Sequence, residues 1–72
     1  MKYDYCKLIG KIVEKFRKQY AFANAIGWSE RTCCLKLSSQ REWKQSEIIT
    51  ACELLDISKS DVYSYFFTLQ VQ

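Results

Sequence analysis

Residues 19–37, QYAFANAIGWSERTCCLKL, decide the fold of this 72-residue chain. They contain two short helical segments separated by a tight turn at Gly27, a residue that can take the left-handed conformation a chain reversal needs. After the turn, Ser29 is a typical helix N-cap, and Cys33 and Leu37 lie four residues apart on one helix face. The apolar face of the first segment consists of Phe22, Ala23 and Ile26. The stretch therefore predicts a helix-turn-helix.

On both sides of this stretch, apolar residues recur at helical spacing. They predict helices at about 5–18, 45–55 and 59–66, in addition to 19–26 and 30–37. The tail beyond the last helix alternates apolar and polar side chains, which is typical of a short strand. We therefore expect an all-α fold of five short helices. A short C-terminal strand is the one further element that the pattern allows.

The composition limits the function. The chain is 49% hydrophobic and 15% aromatic, enough for one domain over residues 1–72, but so short a domain buries too little surface for a deep catalytic cleft. Histidine is absent, which removes the usual general base and the usual zinc ligand. We therefore expect no enzyme activity, no cofactor, no metal and no small-molecule substrate.

The cysteines and the apolar runs predict the compartment. No two cysteines have the CxxC spacing of a metal pair, and we expect three or four of them to be reduced and to serve as small apolar residues. The four cysteines are Cys6, Cys33, Cys34 and Cys52. The N-terminus lacks the apolar run of a signal peptide, and no run approaches the ~20 residues of a membrane span. These features predict a cytoplasmic protein with no membrane contact.

The turn region resembles a known class of DNA-binding motif. The spacing Gln19-x3-Ala23-x3-Gly27-x-Ser29-x3-Cys33-x3-Leu37 is similar to the Cro/repressor-type helix-turn-helix of phage regulators. That resemblance implies a lambda-repressor-like fold and transcription regulation in a bacterial host cell.

The whole chain also resembles a family of small phage-encoded proteins from Gram-positive hosts. The residues that carry this likeness are Tyr3-Asp4-Tyr5, Leu8-Ile9-Gly10-Lys11-Ile12, Phe22-Ala23, Ser29-Glu30-Arg31-Thr32, Leu35-Lys36-Leu37, Trp43-Lys44-Gln45 and Tyr65-Phe66-Phe67-Thr68-Leu69. Four positions depart from that pattern: Cys33 replaces an aliphatic residue, Ser38-Ser39 replace a small polar residue and glycine, and Lys18 replaces a Ser/Thr cap.

The second helix of the motif presents a candidate recognition face. If Cys33 and Leu37 face inward, Arg31 and Leu35 point outward at ~100° per residue. Arginine can bond guanine in bidentate fashion, and apolar groups contact the thymine methyl. The predicted base-contacting residues are Glu30, Arg31, Cys34, Leu35 and Ser38. The alternatives are a solvated Arg31, a Leu35 that packs against a partner protein, and a Glu30 that only favours the helix N-terminus.

Charge is distributed unevenly along the chain. Residues 1–44 contain ten Lys and Arg against four Asp and Glu, a net +6, whereas residues 45–72 contain one Lys against four acidic residues, a net −3. The basic half holds the recognition face, as phosphate contact requires. The predicted phosphate-contacting residues are Gln19, Ser29, Lys36, Arg41 and Lys44. For Lys36, at the core boundary, we expect a packed stem and an ammonium group that reaches outward.

The acidic C-terminal half of the chain ends in an aromatic segment, residues 66–72, and has more apolar side chains than a small core covers. In one interpretation, strand 67–71 pairs with its twin in a second copy, which gives a homodimer on a palindromic operator. The dimerisation residues would be Phe67, Leu69 and Val71. In the other interpretation, the tail folds back over its own helices.

Two functions follow from these features. The leading interpretation is sequence-specific binding of double-stranded operator DNA through recognition helix 30–37, as in a Cro-like regulator. The alternative is a protein-protein interaction module on the same scaffold, for example one that binds a repressor, because a fold does not determine a function.

Overall fold

The computed structural model describes residues 3–69 and contains five α-helices, which confirms the all-helical fold predicted from the sequence. The helices are α1 (Cys6–Phe16), α2 (Gln19–Ile26), α3 (Glu30–Leu37), α4 (Gln45–Leu55) and α5 (Val62–Phe66), and one 3₁₀ turn (Lys59–Asp61) precedes α5. Between residues 3 and 69, no helix is long and apolar enough to cross a membrane.

α1 is shorter at both ends than the predicted span 5–18. At its start, the Asp4 carboxylate accepts a 2.9 Å hydrogen bond from the backbone N–H of Cys6, and this bond lowers the pKa of Asp4. At its end, Arg17 has a φ of 70°, a left-handed conformation in which the helix cannot continue. The apolar spacing continues past this point, so periodicity alone places the end too late.

The turn between α2 and α3 forms as its residue types predict. Gly27 has a φ of 88°, and its N–H donates to the carbonyl of Ala23 over 2.9 Å. Ser29 then caps α3, because its hydroxyl oxygen accepts a 3.2 Å hydrogen bond from the N–H of Thr32. The chain thus reverses in three residues and leaves α2 and α3 in contact.

A series of aromatic rings connects the helices through the core. Trp28 lies 6.2 Å from Phe22 and 5.0 Å from Trp43, and Trp43 lies 5.1 Å from Phe66, measured between ring centroids. All three pairs meet edge to face, a favourable geometry for aromatic rings. Trp43 also fastens the α3–α4 loop, because its indole N–H donates to the carbonyl of Lys36 over 3.1 Å.

The tail runs back along the start of its own chain. The N–H of Asp4 donates to the carbonyl of Thr68 over 2.6 Å, and Tyr3 and Leu69 form an isolated antiparallel bridge. Within residues 3–69 this bridge does not extend into a strand, so the alternating pattern after residue 66 does not predict the backbone there. Residues 70 and 71 of the predicted strand 67–71 lie outside the described part of the chain.

Candidate functional site

The outward face of α3 presents most of the predicted base-contacting residues together. Glu30, Arg31, Cys34 and Ser38 are exposed, whereas Leu35 is half-buried. Between α2 and the start of α3 lies a small cleft of about 190 Å³, to which Glu30 and Cys34 contribute. Four of the five residues are therefore exposed, whereas Leu35 offers less apolar surface than its position on the helical wheel suggests, and base contact stays a prediction.

The prediction that the ammonium group of Lys36 reaches outward is wrong. Lys36 lies in the interior. Its side chain is 5% exposed, and its ammonium group donates to the Glu47 carboxylate and lies 4.9 Å from the Trp28 ring centroid. In this position the ammonium group cannot reach a DNA phosphate. The physical reason is that Glu47, from the start of α4, supplies a partner that a local sequence pattern does not show.

Glu47 links α3 to the start of α4. One carboxylate oxygen accepts from Lys36 and also from the backbone N–H of Lys44, over 2.8 Å to the latter. Burial opposes ionisation, but the hydrogen bonds from Lys36 and Lys44 outweigh it, and the pKa of Glu47 lies below its usual value. The Lys36–Glu47 ion pair is therefore a charged, largely buried contact that stabilises the α3–α4 loop.

The other predicted phosphate-contacting residues lie at the surface. Gln19 begins α2, and Arg41 and Lys44 are exposed in the α3–α4 loop. The Ser29 hydroxyl is already engaged as the cap of α3. Of the five residues predicted for phosphate contact, the structure thus leaves three with side chains exposed and without a structural role in the described contacts.

Two of the lysines on α1 form ion pairs. Lys15 pairs with Asp56 over 2.8 Å and Lys11 with Glu14 over 3.5 Å. On α3 itself, the withdrawal of Lys36 leaves Glu30 and Arg31 as the charged exposed residues, so this face carries no net formal charge. The basic half of the sequence therefore does not produce a basic α3 face.

A different face carries an apolar groove. A groove of about 370 Å³ runs between α4 and the segment that leads into α5, and we call it the α4–α5 groove. Its apolar lining consists of Ile48, Ile49, Cys52, Ile57, Val62 and Phe67. Ile49 is 56% exposed and Phe67 37%, and the ring of Tyr63, 73% exposed, lies 6.1 Å from that of Phe67. An apolar groove with exposed side chains at its edge is a candidate interaction surface.

In the sequence, Ile49 belongs to the apolar side of α4, a position that does not by itself reveal its exposure. The side chains that α4 buries fully are Ala51 and Leu55. At ~100° per residue, Ile49 lies far from both of them, on the edge of the apolar arc. The apolar side chains of α4 cover a wider arc than its contact with the core requires. That excess width is the signal in the sequence that points to this groove.

The predicted dimerisation residues are placed in part. Phe67 lines the α4–α5 groove and lies 5.9 Å from the Tyr3 ring, and Leu69 is exposed while its backbone pairs with Tyr3. Val71 lies outside the described residues. The backbone contacts match the folded-back interpretation of the tail, and a dimer stays a prediction.

Comparison with solved structures finds a phage protein to which this chain is similar. The chain is 47% identical to the modulator of repression (MOR) of the temperate bacteriophage TP901-1 from Lactococcus lactis, whose solution structure it matches with a TM-score of 0.83. The match covers 100% of this chain and 97% of that one. No curated protein matches the chain.

That neighbour is named as a modulator of repression, and the likeness extends over all five helices. It supports a regulatory role in a phage. A family model described as "Protein of unknown function (DUF739)" matches residues 1–69, and the chain belongs to this family.

Proposed function

We propose that this chain is a phage regulator that acts by binding a repressor protein through the α4–α5 groove. The observation that carries the proposal is the exposed apolar lining of that groove, at Ile49 and Phe67. The solved neighbour is named for modulating repression, and such a role is met by a direct contact with a repressor. The proposal corresponds to the interaction-module alternative from the sequence.

The chemistry of the groove suits a protein partner. Its charged lining residues are Glu53 and Lys59, one of each sign, so the surface favours an apolar partner over a polyanion. Aliphatic and aromatic side chains at the centre of an interface, with charges at its rim, are typical of protein–protein contacts. An amphipathic helix with apolar residues at i, i+3, i+4 and i+7 fits such a groove.

The direct test is the affinity for the repressor of the phage that encodes this chain, measured by isothermal titration calorimetry. Ile49→Asp is expected to weaken binding at least tenfold, because it places a charge against the apolar partner. Val13→Asp, at an apolar residue of α1 that is 47% exposed and outside the groove, is the matched control and is expected to change binding less than twofold. Far-UV circular dichroism checks that both variants fold. Wild-type affinity in the folded Ile49→Asp variant contradicts the proposal.

Operator binding through α3 is the second candidate function. The feature that favours it is the α2–turn–α3 unit, which exposes Arg31 on the helix after the turn. In this candidate the base contacts come from Glu30, Arg31, Cys34, Leu35 and Ser38, and the phosphate contacts from Gln19, Ser29, Arg41 and Lys44. The exposed side chains of Phe67 and Leu69 would then join two copies on a palindromic operator.

Selection of binding sites from a random duplex pool tests this candidate. If α3 reads bases, Arg31→Ala relaxes the sequence preference, whereas Lys44→Ala weakens binding evenly and lowers the salt dependence. Sedimentation equilibrium with and without the selected duplex measures the dimer. Failure to enrich any sequence, combined with binding to the repressor, favours the protein-interaction function.

A further inference from the structure

A further cavity lies next to the α4–α5 groove. It is enclosed by the start of the chain, the α3–α4 loop and the end of α5. Its volume is about 450 Å³, within the range of small-molecule pockets. Aromatic side chains supply half of its lining, and these are Tyr3, Tyr5, Trp43, Phe66 and Phe67. None of them belongs to the α3 face. We call this space the aromatic cavity.

The wall of the aromatic cavity holds hydrogen-bond donors that the described chain leaves available. Tyr5 is only 6% exposed, yet its hydroxyl has no hydrogen-bond partner among residues 3–69. Tyr5 is one of the residues that line the cavity, so its hydroxyl is a candidate donor there. The Ser39 hydroxyl accepts from the N–H of Tyr3 over 3.0 Å and keeps its own proton to donate.

A cation completes this set. Arg41 lies in the same wall and forms no ion pair within residues 3–69. A guanidinium group binds a carboxylate with two parallel hydrogen bonds, a geometry that a hydroxyl donor beside it can extend. The wall also includes Glu42, whose charge opposes an anion and limits its affinity.

We propose that the aromatic cavity is a binding site for a planar aromatic carboxylate. Phe66 and Tyr5 are buried, but the partly exposed rings of Tyr3, Trp43 and Phe67 accept a planar ring by edge contact. The carboxylate accepts hydrogen bonds from Tyr5, Ser39 and Arg41. A neutral aromatic molecule leaves the guanidinium unused, and an aliphatic carboxylate leaves the rings unused, so the combination selects a molecule with both groups.

The site is separate from the proposed repressor contact, although the two share a wall. Ile48 and Phe67 line both the aromatic cavity and the α4–α5 groove. Tyr5 and residues 39–43 line the cavity alone. The NMR signals of Tyr5 and of residues 39–43 therefore report on the cavity whether or not the chain binds a repressor.

The test is a titration of the full chain with indole-3-acetate, followed by ¹H–¹⁵N correlation spectra. Saturable shifts are expected at Tyr5 and at residues 39–43. Indole, which lacks the carboxylate, and acetate, which lacks the ring, are expected to bind at least tenfold more weakly. The absence of saturable shifts at these residues, or equal shifts with acetate, overturns the proposal.

Substitutions in the wall of the aromatic cavity are expected to change the affinity for indole-3-acetate in opposite directions. Arg41→Gln and Tyr5→Phe are expected to weaken binding of indole-3-acetate about tenfold and about threefold, and Glu42→Gln to strengthen it. Lys44→Gln removes a positive charge from the same loop outside the wall and is the matched control, with an expected change below twofold. Equal losses in Arg41→Gln and Lys44→Gln show attraction by net charge only and contradict the site.

Discussion

The ammonium group of Lys36 lies in the interior between the Glu47 carboxylate and the ring of Trp28. Removing a charge from water costs free energy, and a buried pair returns it only while both partners are present. The contact is therefore sensitive to single substitutions and tolerant of paired ones. A pattern of nearby residues cannot reveal it, because the two partners lie on different helices.

We predict that Lys36→Met lowers the free energy of unfolding by about 3 kcal/mol, because Glu47 keeps a partly buried charge without its partner. The double variant Lys36→Met/Glu47→Gln is expected to recover most of the loss, since the amide oxygen of glutamine still accepts from the N–H of Lys44. Urea unfolding measures both values. A double variant as unstable as the single one contradicts this account of the pair.

Stability is expected to fall as the pH is lowered through the acid range. The pKa of Glu47 is below its usual value in the folded chain, so the unfolded chain binds more protons there and stability rises with pH. The contribution of Glu47 is complete above its unfolded pKa of about 4.5 and is lost as the pH falls through the lower folded pKa. Urea midpoints between pH 7 and pH 3 measure this loss, which Glu47→Gln is expected to reduce. An unchanged pH profile in that variant contradicts it.

At the scale of the elements, the ends of the helices depend on single residues with unusual backbone angles. Gly27 ends α2 at a φ of 88°, whereas Arg17 and Asp56 end α1 and α4 at positive φ without being glycine. Gly27, and Ser29 as the cap of α3, were identified from residue type, because glycine and capping hydroxyls have strong local preferences. Arg17 was not, because no property of arginine favours that conformation.

The two glycines are expected to respond to alanine with opposite signs. Gly27→Ala lowers the free energy of unfolding by about 1 kcal/mol, because its positive φ disfavours a side chain. Gly10→Ala, within α1, raises it by up to about 1 kcal/mol, since no atom lies within 4 Å of the added carbon and alanine favours the helix. Urea unfolding of both variants is the measurement. Destabilisation by Gly10→Ala contradicts the open surroundings of that position.

At the scale of the whole molecule, one core supports every helix. Side chains from α1, α2, α4 and α5 are fully buried in it, and among them are Leu8, Phe22, Leu55 and Phe66. A chain of 72 residues has a free energy of unfolding of roughly 4–10 kcal/mol. A single large cavity in the core can therefore remove most of the stability.

We expect Phe66→Ala to lower the free energy of unfolding by about 3–5 kcal/mol, because the ring is 1% exposed and packs on Trp43. Phe67→Ala, at the exposed neighbour, is the matched control with a much smaller effect. Circular dichroism at 222 nm during thermal unfolding compares them. Equal effects of the two variants show that the end of α5 is not part of the common core.

The sequence by itself determined the helices, the turn at Gly27 and the cap at Ser29, because these signals act between residues a few positions apart. It also indicated the α3 face, since one helical wheel is enough to place Arg31 outward. Only the tertiary structure decided that Lys36 points inward, that the tail pairs with Tyr3, and that Ile49 stays in the solvent. Each of these depends on which distant segment packs against the residue, and that choice is made by the whole core at once.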